Sequence, residues 1–170
     1  MAIAITIEQF LHDHHVTYDT LTHRITATSS ETAEIAHIPG ARLIKAVVLK
    51  SEGRYMMALL PASHHLSLLM LKDLLLKDVA LATEEELSPF FTDCELGAVP
   101  ALGMAYDMDV IVDRSLADVG DVLFEGGDHQ TLVRMQAEDF EGLVSDAMHA
   151  SFSHWDKHPE KRGGFRFSHY

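Results

Sequence analysis

Residues 40–61 read GARLIKAVVLKSEGRYMMALLP, and the fold is built around this stretch. Two apolar runs, 46–49 and 55–60, flank the segment Ser51-Glu52-Gly53. A short connection that contains Gly, placed between two apolar runs rich in Val, Leu and Tyr, is typical of a β-hairpin. The sequence therefore predicts a hairpin whose two strands are both largely buried.

Lys45 stands at the entrance of the first predicted strand. A lysine at the mouth of a buried strand loses hydration unless its ammonium group reaches water or faces an anionic ligand. Reaching water is the ordinary solution, because the flexible stem of lysine carries the charge to the surface. Two interpretations stay open on this pattern: a solvent-exposed lysine at a strand end, or a cation in a binding site.

The composition is that of a globular protein with one domain. A chain of 170 residues with 47% hydrophobic residues can bury a sizeable core without disulfides or metals. No apolar run reaches the roughly 18 residues that a membrane helix needs, so no membrane association is expected. The single cysteine, Cys94, and an amino terminus with no basic region before its apolar residues predict a cytoplasmic protein without a secretory signal.

The charge is strongly acidic and unevenly distributed. The net charge is −13, which argues against indiscriminate binding to nucleic acid because such binding needs many Lys and Arg contacts to phosphate. Residues 151–170 carry a net charge of +2, so residues 1–150 carry −15. The basic and aromatic residues of 151–170 can pair with phosphates and stack on bases. We therefore divide the chain into a domain, 1–150, and a basic, aromatic tail, 151–170.

Apolar periodicity and turn residues predict alternating helices and short strands along the domain. Helices are expected at 7–14, 30–36, 68–76, 84–91 and 136–149, and strands outside the hairpin at 16–21, 109–113, 119–124 and 129–135. The helix at 68–76 is expected to bury most of its apolar residues. The pattern predicts an α+β fold in which helices flank a mixed, mostly antiparallel β-sheet or partial barrel.

Residues 97–103 read GAVPALG and form the second informative stretch. Two glycines and a proline within seven residues fit neither an ordinary strand nor an ordinary helix. They predict a shaped loop whose backbone approaches a ligand closely. A loop that only crosses between two edges of the sheet is the alternative.

The order of these motifs resembles that of a known family. Lys45 begins an apolar strand, the Gly/Pro loop follows some fifty residues later, and then come VIVDRSL at 110–116, a Gly-Gly turn with His129 and a closing helix. Over residues 5–148 this arrangement is similar to the YbaK/prolyl-tRNA-synthetase-associated domain family. Its members are aminoacyl-tRNA deacylases, either free-standing or inserted in a synthetase.

The resemblance implies that this protein hydrolyses the ester bond of mischarged aminoacyl-tRNA, as a trans-editing enzyme for a small amino acid. The expected partner is the acceptor end of the tRNA, with an aminoacyl-tRNA synthetase as a second candidate, and no cofactor is expected. Catalytic roles are implied for Lys45, which would hold a phosphate or developing negative charge, and for Gly97 and His129. The residues implied in substrate binding are Ala46, Ala98, Val99, Pro100 and Gly103.

Two departures from the family pattern keep a second function open. The loop often reads Gly-x-x-x-Pro in relatives, whereas Gly97 and Pro100 are one residue closer here. The residue after the lysine is Ala46, where some relatives have a polar residue such as Asn. A weakly active or inactive module that binds aminoacyl-tRNA or a small ligand is therefore the alternative.

A third hypothesis is a metal-dependent hydrolase, because the chain contains twelve histidines. Neither a His-x-x-x-His pair joined to Glu nor a Cys/His ligand spacing supports it. No metal site is therefore predicted.

Overall fold

The computed structural model describes residues 3–25 and 28–155. Within these ranges the helices are α1 Ile5–Asp13, α2 Ser29–Ile35, α3 Leu68–Leu75, α4 Glu84–Leu87, a 3₁₀ helix Gly103–Tyr106, and α5 Ala137–Leu143. The strands are β1 Asp19–Thr22, β2 Leu43–Ser51, β3 Arg54–Pro61, β4 His64–Leu66, β5 Ala80–Leu81, β6 Asp109–Asp113, β7 Asp121–Glu125, β8 Thr131–Gln136, β9 Met148–Ala150 and β10 Ser153–Trp155. Among the helices described, none has the length and apolarity needed to cross a membrane.

The predicted hairpin is confirmed as the pair β2 and β3. The two strands pair antiparallel until Ser51 meets Arg54, so that only Glu52 and Gly53 lie in the loop. Both loop residues have positive φ, 52° and 76°, as a type I′ turn requires at its two central positions. The turn residues therefore fix the register of the two longest strands.

The hairpin lies in the middle of one eight-stranded sheet. The strand order is β1-β8-β7-β2-β3-β6-β9, and β5 pairs with β2 beside this path. The pairings β1–β8, β7–β8, β2–β3 and β2–β5 are antiparallel. The pairings β2–β7, β3–β6 and β6–β9 are parallel. The predicted α+β fold with a mixed, mostly antiparallel sheet is thus confirmed.

Helices cover both faces of this sheet. On β2, Ile44 and Val48 point into a core that includes residues of α1 and α5, whereas Leu49 points into a second core that includes Leu71 of α3. Side chains alternate between the faces of a strand. Lys45 therefore belongs to the face of Leu49, and its neighbour Ala46 belongs to the opposite face.

Three predicted helices differ from those observed. α3 buries only Leu71 fully, while Leu69 is 72% and Leu76 is 89% exposed, so the expectation that it buries most of its apolar residues is wrong. α4 ends at Leu87; Ser88 still has helical φ and ψ, but Pro89 has no N–H to continue the helical hydrogen bonds. α5 ends at Leu143, and the chain then enters β9, whose parallel pairing with β6 supplies the backbone partners.

The first residues of the predicted tail are part of the fold. Phe152 is fully buried in the second core, and β10 pairs antiparallel with β4, Trp155 opposite His64. The ordered domain therefore includes residues 151–155. The rest of the predicted tail, 156–170, lies outside the described residues.

Candidate active site

A gap in the sheet forms the site. β2 and β7 pair only at Leu43↔Leu123 and Ile44↔Phe124, and β7 ends at Glu125 while β2 continues. A cavity of about 150 Å³ lies at this gap. Its walls come from the start of α2, from residues 43–47 of β2, from the loop at 97 and 99, and from the turn at 125 and 129.

The backbone of Ala46 faces this gap. The Ala82 N–H donates to the Val48 carbonyl on the side of β2 away from β3, and the Leu43 carbonyl accepts from Ala62 on the β3 side. Successive residues of a strand direct their backbone groups to alternate sides. The N–H and C=O of Ala46 therefore point as those of Val48 do, toward the gap that β7 leaves open.

Five of the predicted site residues lie together on the cavity wall. They are Lys45, Ala46, Gly97, Val99 and His129. Residues far apart in the sequence thus meet at one recess, as the resemblance implies.

Three predicted substrate-binding residues do not line the cavity. Ala98 is fully buried, and Pro100 is also buried. A Cβ on Gly103 would lie 2.8 Å from Cγ2 of Val110 and 3.2 Å from Cβ of Met57, so this glycine allows the loop to pack on the sheet. These three residues form the core side of the loop, and the prediction that they contact substrate does not fit their position.

Lys45 is a buried cation rather than a solvent-exposed lysine. The residue is only 7% exposed, and its Nζ donates a hydrogen bond to the backbone carbonyl of His64. This bond anchors the ammonium group beside β4. Of the two interpretations left open by the sequence, the position of Lys45 therefore favours a cation in a binding site over a solvent-exposed lysine.

The sequence analysis missed the polar cluster that supports His64. Nδ1 of His64 lies 2.9 Å from Oγ of Ser153 and 3.5 Å from Oγ of Ser115. The buried carboxylate of Asp113 accepts from the hydroxyl and N–H of Ser115 and, at 2.9 Å, from the N–H of Phe152. The cluster joins β4, β6 and β10 behind the lysine. The only signal in the sequence is the Asp-x-Ser pattern at 113–115, in which the aspartate accepts from the backbone two residues on.

Two pKa shifts follow from this arrangement. Burial lowers the pKa of His64 and outweighs the negative charge of Asp113, which acts in the opposite direction, while the positive charge of Lys45 adds to the lowering. Burial alone would raise the pKa of Asp113, but the hydrogen bonds from Ser115 and Phe152 outweigh it and hold that pKa below its usual range. The cluster therefore favours a neutral imidazole beside an ionised carboxylate.

The loop at Gly97 has a backbone conformation that favours glycine, and His129 anchors it. Gly97 has a φ of +82°, and a Cβ there would lie 3.0 Å from Oε1 of Glu84 and 3.6 Å from Cε1 of His129. Nε2 of His129 lies 2.7 Å from the carbonyl oxygen of Leu96. Because a carbonyl only accepts, Nε2 carries the proton in this contact, and Nδ1 of a neutral ring is an acceptor. His129 thus fixes the loop through one nitrogen.

Glu125 is a site residue that the sequence analysis did not identify. Its Oε1 accepts from the N–H groups of Gly127, Asp128 and His129 at 2.9, 3.2 and 3.1 Å. The side chain lines the cavity with Lys45. The sequence shows only an acid before two glycines, which does not reveal that the following turn folds back onto that carboxylate.

The described residues support neither a metal-dependent reaction nor a cysteine nucleophile. Within 3–25 and 28–155 no three His, Cys, Asp or Glu residues are grouped as ligands of a metal ion. Burial raises the pKa of Cys94 to about 12, so its thiol is a poor source of thiolate.

Comparisons with known proteins agree with this geometry. The sequence profile of the aminoacyl-tRNA editing domain matches residues 23–143. A proline–tRNA ligase of Trichlorobacter lovleyi is 33% identical over 96 residues, which are 55% of this chain and only 16% of the ligase. The chain thus spans a small part of that relative.

Two crystal structures share the fold. A hypothetical protein superposes with a TM-score of 0.76 at 21% identity, covering 88% of this chain and 99% of its own. A protein proposed to be a trans-editing enzyme for prolyl-tRNA synthetase gives 0.74 at 21% identity, covering 89% and 96%. With the profile match over most of the chain, these likenesses lead to one assignment: the chain belongs to the YbaK-type aminoacyl-tRNA editing domain family.

Proposed function

We propose that the domain hydrolyses the ester bond of a mischarged aminoacyl-tRNA and releases a small amino acid and free tRNA. The observation that carries the proposal is that Lys45, Gly97 and His129 share one cavity although the sequence separates them widely. The proposed partner is the acceptor end of the tRNA, with an aminoacyl-tRNA synthetase second, and the proposed location is the cytoplasm.

The reaction needs little beyond positioning and charge stabilisation. An aminoacyl ester is already activated, so a placed water and a stabilised oxyanion are sufficient. The ammonium of Lys45 is buried, where its field acts more strongly than in water. We assign it to the negative charge that develops on the ester oxygen, or to a neighbouring phosphate.

The other two residues would place the water and the ester. Nδ1 of His129 is the acceptor of a neutral ring whose Nε2 is bound to Leu96, so it can accept from the attacking water. The water oxygen bonds to the carbonyl carbon and gives up a proton. The bond between that carbon and the ribose oxygen then breaks, and the ribose oxygen leaves with the proton that the water gave up. Gly97, with positive φ and without a side chain, lets the loop backbone approach the ester.

The cavity volume favours a small amino acid. An apolar cavity of about 150 Å³ can hold a molecule the size of benzene. A cavity of about 150 Å³ here would therefore take a small acyl group and leave the ribose and base at its mouth. Such sorting by size is useful because one methylene separates substrates by only about 1–3 kcal/mol at a synthetase. Alanyl, seryl and cysteinyl esters are the first to test.

The test compares two lysines of the same strand. Lys45→Ala should lower kcat/KM on its best mischarged tRNA by about 100-fold or more, as expected for the loss of an oxyanion-stabilising group. Lys50→Ala is the matched control, because Lys50 lies further along β2, pairs with Glu86 at 2.5 Å and does not line the cavity. Its activity should stay near that of the unmodified protein. Circular dichroism checks that both variants fold, and full activity of folded Lys45→Ala would contradict the proposal.

The binding module remains the second candidate. Ala46 presents only a methyl group and backbone at the cavity, and Pro100 lies outside it. In this reading the protein hydrolyses none of the mischarged tRNAs but still binds a non-hydrolysable aminoacyl-adenosine, and Lys45→Ala weakens that binding. Hydrolysis by the unmodified protein therefore separates the two functions, and the two lysine variants test the role of Lys45 in either case.

A further inference from the structure

The unexplained charged group of the cavity is Glu125. One of its oxygens, Oε1, accepts all three N–H groups of the turn that follows it. In the described part of the chain, Oε2 has no hydrogen-bond donor. The three N–H groups of the turn use only Oε1, so this structural role does not explain the presence of Oε2.

The cavity is lined by one basic and one acidic side chain, Lys45 and Glu125. No ion pair described within residues 3–25 and 28–155 joins these two side chains to each other. The three N–H donors of the turn all meet Oε1, so a positively charged group on a ligand would give Oε2 a strong partner. Two separated charges in one recess fit a ligand that itself carries a positive group and a site of negative charge.

We propose that Glu125 binds the α-ammonium group of the aminoacyl moiety. This inference rests on the proposed function, because an aminoacyl ester carries that ammonium next to the carbonyl whose oxygen becomes negative during hydrolysis. Lys45 then serves the oxygen, Glu125 serves the ammonium, and the acyl side chain occupies the apolar part between Ala46 and Val99. The site selects α-amino acyl esters with a free amine over N-acylated ones.

The three backbone donors make Glu125 suited to this task. They orient the carboxylate before the ligand arrives, so little side-chain entropy is lost on binding. Hydrogen bonds between an ammonium and a carboxylate are among the stronger ones in proteins. Acetylation removes the charge of the amine and adds an acyl group at the same position. The wild-type protein should therefore prefer a free amine by about 10- to 100-fold in kcat/KM.

The informative variant is Glu125→Gln. The amide oxygen of Gln can still accept the three turn N–H groups, while the second oxygen and the charge are lost. The experiment measures hydrolysis of an aminoacyl-tRNA and of its N-acetylated form by both proteins. The variant should lose about 10- to 100-fold on the free amine and keep its rate on the N-acetylated substrate. Retention of the wild-type preference by Glu125→Gln overturns the proposal.

Asp128→Asn is the matched control for damage to the turn. Asp128 lies in the same turn and accepts from Gln130 and Thr131, but it does not line the cavity. Asp128→Asn should change the rates on the free-amine and the N-acetylated substrate by the same factor. The preference for a free amine should therefore be kept. Loss of the preference in Asp128→Asn would assign it to the turn and contradict the role of the Glu125 carboxylate.

A binding measurement separates this inference from the proposed function. If the wild-type protein hydrolyses no substrate, the probes become a non-hydrolysable 3′-aminoacylamido-adenosine and its N-acetyl derivative, measured by calorimetry. Tighter binding of the free amine, lost in Glu125→Gln, supports the ammonium site even without catalysis. Equal or absent binding of the two probes overturns it.

Discussion

At the scale of single residues, the backbone conformation of Gly97 determines the geometry of the cavity wall. Gly97→Ala places a side chain at φ +82°, which costs about 1–2 kcal/mol. The new Cβ also lies 3.0 Å from Oε1 of Glu84, so the loop or Glu84 must move. A displacement of about 1 Å at a site can cost about 100-fold in rate. We expect kcat/KM to fall by about that factor in hydrolysis assays, and the free energy of unfolding to fall by about 1–2 kcal/mol in urea.

Gly53→Ala separates strain from site geometry. Gly53 has a similar φ of +76°, but nothing lies within 4 Å of its Cβ position, and it is in the hairpin turn away from the cavity. The same loss of about 1–2 kcal/mol in stability should appear with unchanged activity. Equal activity losses in the two variants would mean that Gly97 acts through stability alone.

Single residues also show how far the sequence could predict the site. A role for His129 was implied by the family resemblance, and this residue does line the cavity. Glu125 was missed because its importance arises from three N–H groups that only the folded turn directs at it. Pro100 and Gly103 were placed on the wrong side of their loop. A Gly/Pro pattern predicts close approach, but it does not say whether a ligand or the core is approached.

At the scale of elements, Asp113 is the link between β6 and β10. Its buried carboxylate accepts from Phe152 just before β10 and from Ser115. Asp113→Asn replaces one acceptor oxygen by a donor that faces these N–H and O–H groups, which leaves a buried hydrogen bond unmade. We expect the free energy of unfolding at pH 7 to fall by about 2–3 kcal/mol, measured by urea denaturation.

The loss of stability caused by Asp113→Asn should become smaller as the pH falls. Because the pKa of Asp113 is lowered in the fold, its carboxylate stabilises the protein above the usual aspartate value of 3.8. That contribution disappears as the pH falls below this value, so the difference between Asp113→Asn and the unmodified protein should shrink in acid. Asp109→Asn, at the exposed first position of the same strand, is the control and should change stability by less than about 0.5 kcal/mol. A difference that is constant with pH would contradict the role of the charge.

Elements were predictable where local chemistry determines them. The hairpin follows from its turn residues. The strand β6 was predicted with its observed bounds from a short, continuous run of apolar residues. The strands β4, β9 and β10 are three residues each and were not predicted. Their pairing partners lie far away in the sequence, so no local periodicity could reveal them. α3 was predicted as a helix, but the side that it buries depends on what packs against it.

At the scale of the whole molecule, the proposed function pairs an acidic protein with a polyanionic substrate. With a net charge of −13, long-range attraction to tRNA has to come from a local basic region. Residues 156–170 contain Lys157, Lys161, Arg162 and Arg166 beside three aromatic residues. Such a composition can pair with phosphates and stack on bases. The sequence identified this region, and the structure adds that a truncation should leave Phe152 and β10 in place.

Removal of residues 156–170 should therefore affect tRNA binding without affecting chemistry. A protein that ends at Trp155 keeps buried Phe152 and β10. We expect a raised KM for aminoacyl-tRNA and unchanged kinetics on a minimal aminoacyl-adenosine ester, since only the tRNA offers phosphates beyond the cavity. A protein that ends at Ala150 is the contrasting case, because loss of Phe152 alone costs about 3–5 kcal/mol and should impair folding. Equal KM values for full-length and Trp155-terminated protein on both substrates would exclude these residues from tRNA binding.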